Sequence, residues 1–372
     1  MEPGTLTIKQ VELYKLSIPL IEPFITSLGR DDNAENVLVR IITKEGIIGF
    51  GECSPYMPIN GESQDTCFIV GQYFAKLLKG KNALAIEDCV TAMDKFIYAN
   101  TSIKSAFDMA LYDIASQHAG VPLYQFIGGK NDKTITTDYT VSIGDPEKMA
   151  ADAVKIKQEG YPAIKIKLGN NGETDVLRIK AIREAVGNKI PLRIDANQGW
   201  NVDEAIKTLQ ALGKYDIQHC EEPIPRWNFM RLPHIRKASP IPIMADESCC
   251  DDHDAERLIY INACDYFNIK LGKSGGIFKA LKMVRMAEQS NIHLQVGAML
   301  ESRLAMTAFA HFSLSSPMIV HYDFDTALMF SEDPVSGGIV YEKNGVVKVP
   351  EVAGLGATID DNWLKKMEKV TI

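Results

Sequence analysis

Early in the chain, apolar and polar positions alternate with a period of two. Thr7 to Ile18, Asn36 to Thr43 and Ile47 to Cys53 each read as a strand with one buried face. Lys44-Glu45-Gly46 between the last two is a short turn, so the chain opens as an antiparallel meander. The period then changes. Ser63 to Leu78 reads as a helix, and Ile103, Ala106, Phe107, Ala110, Leu111, Ile114 and Ala115 recur at helical spacing until Gly120-Val121-Pro122 stops the pattern. Residues 1–128 therefore form an α+β unit.

After Gly128-Gly129, short apolar strands alternate with helical stretches, the pattern of a parallel sheet. The candidate strands are Ile135–Ile143, Ala163–Leu168, Pro191–Asp195, Gln218–Glu221, Ile243–Ala245, Phe267–Ile269, His293–Val296 and Ile319–Asp323. Eight such repeats over 129–329 fit a (β/α)8 barrel better than an open doubly wound sheet. No G-x-G-x-x-G follows any strand to mark a dinucleotide site. From Phe330 the rhythm is lost, and 330–372 is expected to pack back on the first unit. A length of 372 residues agrees with about two domains.

Charge and cysteine content narrow the function classes. With 48 Asp plus Glu against 40 Lys plus Arg, the net charge is −8, and no basic cluster suggests nucleic acid or an anionic membrane as partner. Met1 to Ile18 lacks the basic stretch and apolar run of a signal peptide, and no apolar segment is long enough to span a bilayer. Seven cysteines without a C-x-x-C pair fit reduced thiols in a cytoplasmic enzyme, and the dispersed histidines do not suggest zinc. A homo-oligomer is compatible with this composition but not specified by it.

The charges that matter stand at strand ends. Asp195, Glu221 and Asp246 lie at or just past the carboxyl ends of three strands, 26 and 25 residues apart. In a parallel barrel such positions converge on one mouth. Carboxylates brought together there repel by about 4 kcal/mol per pair at 4 Å and an effective dielectric near 20, so they call for a cation. Helix capping explains any one of them alone, but the regular spacing favours a shared site. Oxygen-only ligands select a hard divalent ion, Mg²⁺ first and Mn²⁺ second, one per subunit. Glu222 and Glu247 adjoin the ligands, point the other way if the strands persist, and stand as alternates.

In Ile164-Lys165-Ile166-Lys167-Leu168 alternation puts both lysines on one face. A solvated edge strand shows the same pattern, but this segment lies inside the βα series, one unit before Asp195. Lys270 follows a strand 24 residues after Asp246 and stands across the barrel. Lysines facing each other across a divalent metal suit removal of a proton beside a carboxylate, the metal stabilising the enediolate and the second lysine returning the proton to the other face. Lys165 beside Lys167 would lower the pKa of Lys167. Asp323 and Asp325 share a face at the last strand end and suit a second metal, a helix cap or a substrate ammonium group. With a three-acid site already present, the ammonium role is preferred.

These residues resemble a known family. Lys165-x-Lys167, Asp195-Ala196-Asn197, Glu221-Glu222-Pro223, Asp246-Glu247-Ser248 and Lys270, with Gly51-Glu52 and Tyr139-Thr140-Val141, resemble the muconate lactonizing subgroup of the enolase superfamily. Asp323-x-Asp325 resembles its dipeptide epimerases, of the L-Ala-D/L-Glu type. The resemblance implies a modified (β/α)7β barrel under a capping domain built from both chain ends. It implies a Mg²⁺ on Asp195, Glu221 and Asp246, and epimerisation of the second residue of an L-Ala-Xaa dipeptide by Lys167 and Lys270. Lys165 would touch the substrate carboxylate, Asp323 and Asp325 would bind its ammonium group, and Asn197 and Thr140 would line the pocket. Relatives acting on L-Ala-Glu carry a capping-loop arginine where this chain has Gly29, followed by Arg30. Either Arg30 substitutes, or the second side chain is not acidic and Phe24, Thr26, Leu28, Tyr56, Met57, Ile59 and Met299 shape a more apolar pocket. Cycloisomerisation and o-succinylbenzoate synthesis use the same lysines and metal but offer Asp323 and Asp325 no ammonium group. A non-catalytic peptide or metal binder would not need the lysine pair.

Overall fold

The computed structural model describes residues 4–372, so the first three residues of the unit expected over 1–128 lie outside it. The opening meander consists of β1 (Ile8–Thr26), β2 (Gly29–Thr43) and β3 (Ile48–Cys53). Both long strands run past their predicted ends, and the pairs Phe24–Asp31, Ile25–Arg30 and Thr26–Gly29 form a projecting arm. Pro19 and Pro23 hide this extension in the sequence, since proline cannot donate to a ladder. The structure absorbs them in a register shift between Pro19 and Phe24.

Helices α1 (Met57–Asn60), α2 (Gln64–Leu78), α3 (Ile86–Phe96), α4 (Thr101–Ala119) and α5 (Leu123–Phe126) follow. Helix α2 starts where Ser63 and Thr66 form a capping box. Helix α3 has no side-chain cap, its start being marked only by Glu87 and Asp88 in the first turn, and the sequence reading missed it. Helix α4 packs its backbone against β3: a Cβ at Gly49 or Gly51 would collide with the carbonyls of Ala110 and Ala106.

The stretch expected as one strand over Ile135–Ile143 is two, β4 (Ile135–Thr136) and β5 (Tyr139–Val141). Thr137 turns the chain, donating its N–H to Gly345 and accepting from Phe324 N–H at 2.8 Å each, so β4 joins the tail and only β5 enters the barrel. The barrel continues as α6 (Pro146–Gln158), β6 (Ile164–Lys167), α7 (Gly172–Val186), β7 (Leu192–Asp195), α8 (Val202–Leu212), β8 (Ile217–Glu221), α9 (Leu232–Ala238), β9 (Ile243–Ala245) and α10 (Asp252–Tyr260). It closes with β10 (Tyr266–Ile269), α11 (Leu271–Ser274), α12 (Ile277–Ser290), β11 (His293–Val296), α13 (Arg303–Ser313) and β12 (Ile319–Tyr322). Strands β5 to β12 form one eight-stranded sheet in chain order, and Asp138 N–H reaches Tyr322 C=O at 3.3 Å to bring its ends together. No regular α-helix follows β12 directly. The architecture is therefore a (β/α)7β barrel rather than eight full repeats.

The tail contributes β13 (Val335–Gly337), β14 (Val340–Tyr341), β15 (Val346–Lys348), β16 (Ala357–Ile359), α14 (Asp361–Lys366) and β17 (Lys369–Thr371). Strand β15 pairs with β4, β16 packs on α13, and only β17 joins the opening sheet, beside β1. Among the described residues no helix is long and apolar enough to cross a membrane. All seven cysteines are free thiols.

Candidate active site

Adjacent barrel strands pair Lys165 with Arg193 and Lys167 with Asp195, so one face of β6 meets one face of β7. Both lysines are buried, as predicted from their alternation. The alternating aliphatic residues, Ile164 and Ile166, fill the layer against the helices and are fully buried. The inner face is instead polar through much of the barrel: Asp138, Lys165, Arg193, His219, Asn268 and Gln295 are all buried. Barrel interiors are commonly filled by branched aliphatic side chains, and this one gives up that packing for hydrogen bonds and ion pairs.

Asp195 at the end of β7, Glu221 at the end of β8 and Asp246 after β9 meet at the carboxyl mouth. Among the described residues they are the one group of three or more metal-type side chains whose ligand atoms all lie within 4.8 Å of one another. All three are buried. Three oxygen donors without sulfur or imidazole fit a hard divalent cation.

Four lysines face these acids. Lys165 Nζ lies 2.7 Å from Asp323, 2.9 Å from Glu221 and 3.4 Å from Asp195. Lys167 is 2.6 Å from Asp195, and Lys270 is 2.8 Å from Asp246. Lys273, which the sequence reading did not select, also pairs with Asp246 and donates to the Asn268 carbonyl at 3.1 Å. Burial disfavours the charge on Lys165, but Asp323, Glu221 and Asp195 outweigh it and hold its pKa well above the usual lysine range. Lys270 is held up in the same way, by Asp246 and Glu221 against its burial. Burial likewise opposes ionisation of Asp246, and Lys270 and Lys273 overcome it, so its pKa falls well below the usual range. Glu221 goes the other way, pushed up to about 8 by burial and by Asp195.

Neutral donors complete the site. Asn268 Nδ2 and Gln295 Nε2 donate to the two oxygens of Glu221 at 2.7 and 3.2 Å. Asn197 donates its backbone N–H to Asp195 at 2.9 Å from a left-handed conformation, φ 41°. Glu222 accepts from the N–H of Asp246 at 2.7 Å and from Ser248, which fixes the turn carrying Asp246. Glu222 therefore braces the acid triad from behind. Glu247 is buried and meets the Asn197 amide at 3.4 Å. Asp325 accepts from Thr140 N–H at 2.7 Å, and burial with Asp323 and Asp138 nearby raises its pKa well above the usual range.

A cavity of about 370 Å³ opens over this floor, lined by Thr140, Lys167, Asn197, Lys270, Asp323 and Asp325. Its roof comes from the arm and the segment after β3, including Phe24, Thr26, Leu28, Tyr56, Met57 and Ile59; Met299 closes the side. Lys165 lies beneath the floor. Arg30 does not reach the cavity: it pairs with Ile25 on the other face of the arm and forms an exposed ion pair with Asp32 at 2.7 Å. Gly29 faces Tyr56, whose hydroxyl would lie 3.5 Å from a Cβ placed there.

Comparison with known proteins agrees with this geometry. Residues 9–128 match the mandelate racemase / muconate lactonizing enzyme N-terminal domain, and residues 148–363 match the enolase C-terminal domain-like family. The D-Ala-D/L-Ala epimerase of Cytophaga hutchinsonii is 60% identical, covering 98% of this chain and 99% of its own. The L-Ala-D/L-Glu epimerase of Bacillus subtilis is 38% identical, covering 93% and 95%. The crystal structure of the Cytophaga hutchinsonii dipeptide epimerase complexed with Mg and D-Ala-L-Val matches with a TM-score of 0.98 at 59% identity, covering 99% of this chain and all of that one. With both domains matched, and with the acid triad at the barrel mouth below a cavity that Lys167 and Lys270 line, the chain belongs to the enolase superfamily, in its mandelate racemase / muconate lactonizing group.

Proposed function

We propose that this protein is a dipeptide epimerase that inverts the α-carbon of the second residue by a two-base proton transfer. One observation carries the reading. Lys167 and Lys270 come from strands separated by three others and pair with different members of the acid triad, yet line one cavity together with Asp323 and Asp325.

A dipeptide supplies a group for each feature. Its ammonium group would sit against Asp323, which Lys165 holds from below, and Asp325, which is buried with only the Thr140 N–H as partner. Its carboxylate would face Lys165 and the triad. Asp195, Glu221 and Asp246 would hold Mg²⁺, whose charge offsets the negative charge that builds on the substrate carboxylate as the α-proton leaves. The α-carbon then lies between the two lysines. One must be neutral and the other protonated at the start of each turnover, and the roles are exchanged at its end. The first residue is alanine, of the D or L configuration according to which of the named relatives this chain follows. The 60% identity to the enzyme named for D-Ala favours D.

The test is proton NMR of Ala-Xaa dipeptides of both first-residue configurations in D₂O with Mg²⁺. The α-proton signal of the second residue should disappear while the other diastereomer grows in. No exchange with any dipeptide at saturating metal overturns the reading in favour of a non-catalytic binder.

A further inference from the structure

The roof of the cavity carries a carboxylate, Asp31, that forms no ion pair among the described residues. Phe24 and Asp31 are opposite one another in the arm, so their side chains share the face that looks into the cavity, and both line it. Of the other roof carboxylates, Asp65 pairs with Lys15 at 2.8 Å, while Glu35 accepts from the Ser17 hydroxyl at 2.7 Å and Glu62 from the backbone N–H of Ser102 at 2.9 Å. Both cavity lysines are paired with Asp195 and Asp246. Asp31 is half-buried and has no cationic partner among the described residues; the neutral hydroxyl of Tyr56 donates to it, and Asp32 beside it on the arm adds a like charge. Burial and Asp31 push the Tyr56 phenol up to about 12, so it stays a neutral donor. No arginine, histidine or lysine of the capping segments lines the cavity.

The geometry points to Asp31 as a specificity-determining residue: the roof rejects a second residue with a carboxylate side chain and takes an uncharged or basic one. This deepens the epimerase reading and rests on it. A carboxylate placed under the roof would meet a partly desolvated like charge, whereas Phe24, Leu28, Met57 and Ile59 offer an apolar wall to an uncharged side chain. A basic side chain would give Asp31 the counter-ion it lacks.

The experiment compares peptides matched in shape and different in charge, Ala-Gln with Ala-Glu and Ala-Met with Ala-Lys, by α-proton exchange in D₂O with Mg²⁺. In the wild type, kcat/KM for Ala-Gln should exceed that for Ala-Glu by at least about 100-fold, and Ala-Lys should equal or exceed Ala-Met. Asp31→Asn should shrink the Gln/Glu ratio by about tenfold or more and lower the Lys/Met ratio. Turnover of Ala-Glu within threefold of Ala-Gln by the wild type, or an unchanged ratio in folded Asp31→Asn, overturns the assignment. Calorimetric binding of the same four peptides reads the charge preference without turnover. Absence of all exchange with a retained binding preference would therefore refute the epimerase reading and leave the role of Asp31 standing. Equal binding of Gln and Glu peptides would refute that role.

Discussion

If Lys270 and Lys167 are the two bases proposed above, they do the same chemistry from opposite sides, and single substitutions separate it. Lys270→Ala should abolish inversion, yet Lys167 can still remove and return a proton on its own face. One diastereomer should therefore exchange its α-proton for deuterium while the other does not. Lys167→Ala should show the opposite preference. The loss in inversion should be at least 10²-fold, the lower range of general acid–base catalysis. NMR of each diastereomer with each variant checks this, and a Lys270→Ala enzyme that epimerises at the wild-type rate refutes the two-base assignment. Lys167 was legible in the sequence because a charge repeated at period two with Lys165 inside a buried strand is unusual, and Lys270 because it follows a strand 24 residues after Asp246. Lys273, Asn268 and Gln295 were not. Lys273 lies three residues past Lys270, in α11, where helical geometry returns it to the same acid, and that is invisible until the helix is known. Asn268 and Gln295 carry no charge to attract notice, although Asn268 stands two before Lys270, the spacing already used for Lys165 and Lys167.

At the scale of elements, two acids of the opening unit anchor the barrel by capping its helices. Glu52 on β3 accepts from Ser302 N–H and Ala305 N–H at the start of α13, at 2.9 and 3.2 Å. Asp108 on α4 accepts from Ile277 N–H at the start of α12. The sequence showed Gly51-Glu52 only as part of a motif. Their partners lie about 170 to 250 residues away, and a cap supplied by another element leaves no local signature. Asp108 makes a pH prediction. Burial raises its pKa from 3.8 to about 8, only partly offset by the N–H groups of Ile277 and Phe278. A carboxyl with a raised folded pKa keeps its proton when the unfolded chain has lost it. Stability therefore falls as pH rises between the two values, by about 1.4 kcal/mol per unit from this one group, and is flat beyond them. Asp108→Asn keeps an acceptor and removes the titration. Urea unfolding should show the variant gaining at least about 2 kcal/mol on the wild type between pH 5 and pH 8. A difference that stays constant with pH would show that Asp108 does not titrate in that range.

Across the whole molecule, the βα rhythm announced the barrel because each strand is a short buried run between helices, and the strand ends located the acids. The arm and the split of β4 from β5 were not legible. Prolines disguise the first, and the second depends on tail strand β15, more than 200 residues further on. The same global closure makes the metal a structural matter as well as a chemical one. Asp195, Glu221 and Asp246 come from three neighbouring strands, and the loops holding them are set by Asn197, Glu222 and Lys273, the last donating to the carbonyls of Asp246 and Cys249. A ligand that binds only when all three acids are assembled stabilises the fold by mass action, about 2.7 kcal/mol at 100 times its Kd. For a chain of this size that should raise the Tm by several degrees. Thermal unfolding in MgCl₂ should therefore lie above unfolding in NaCl of equal ionic strength, and EDTA should remove the difference. Asp246→Asn should lose most of the shift, because two carboxylates no longer make the site. An equal Tm in the two salts for the wild type, at a Mg²⁺ concentration that supports exchange, would mean that the triad does not hold the ion as a preassembled set.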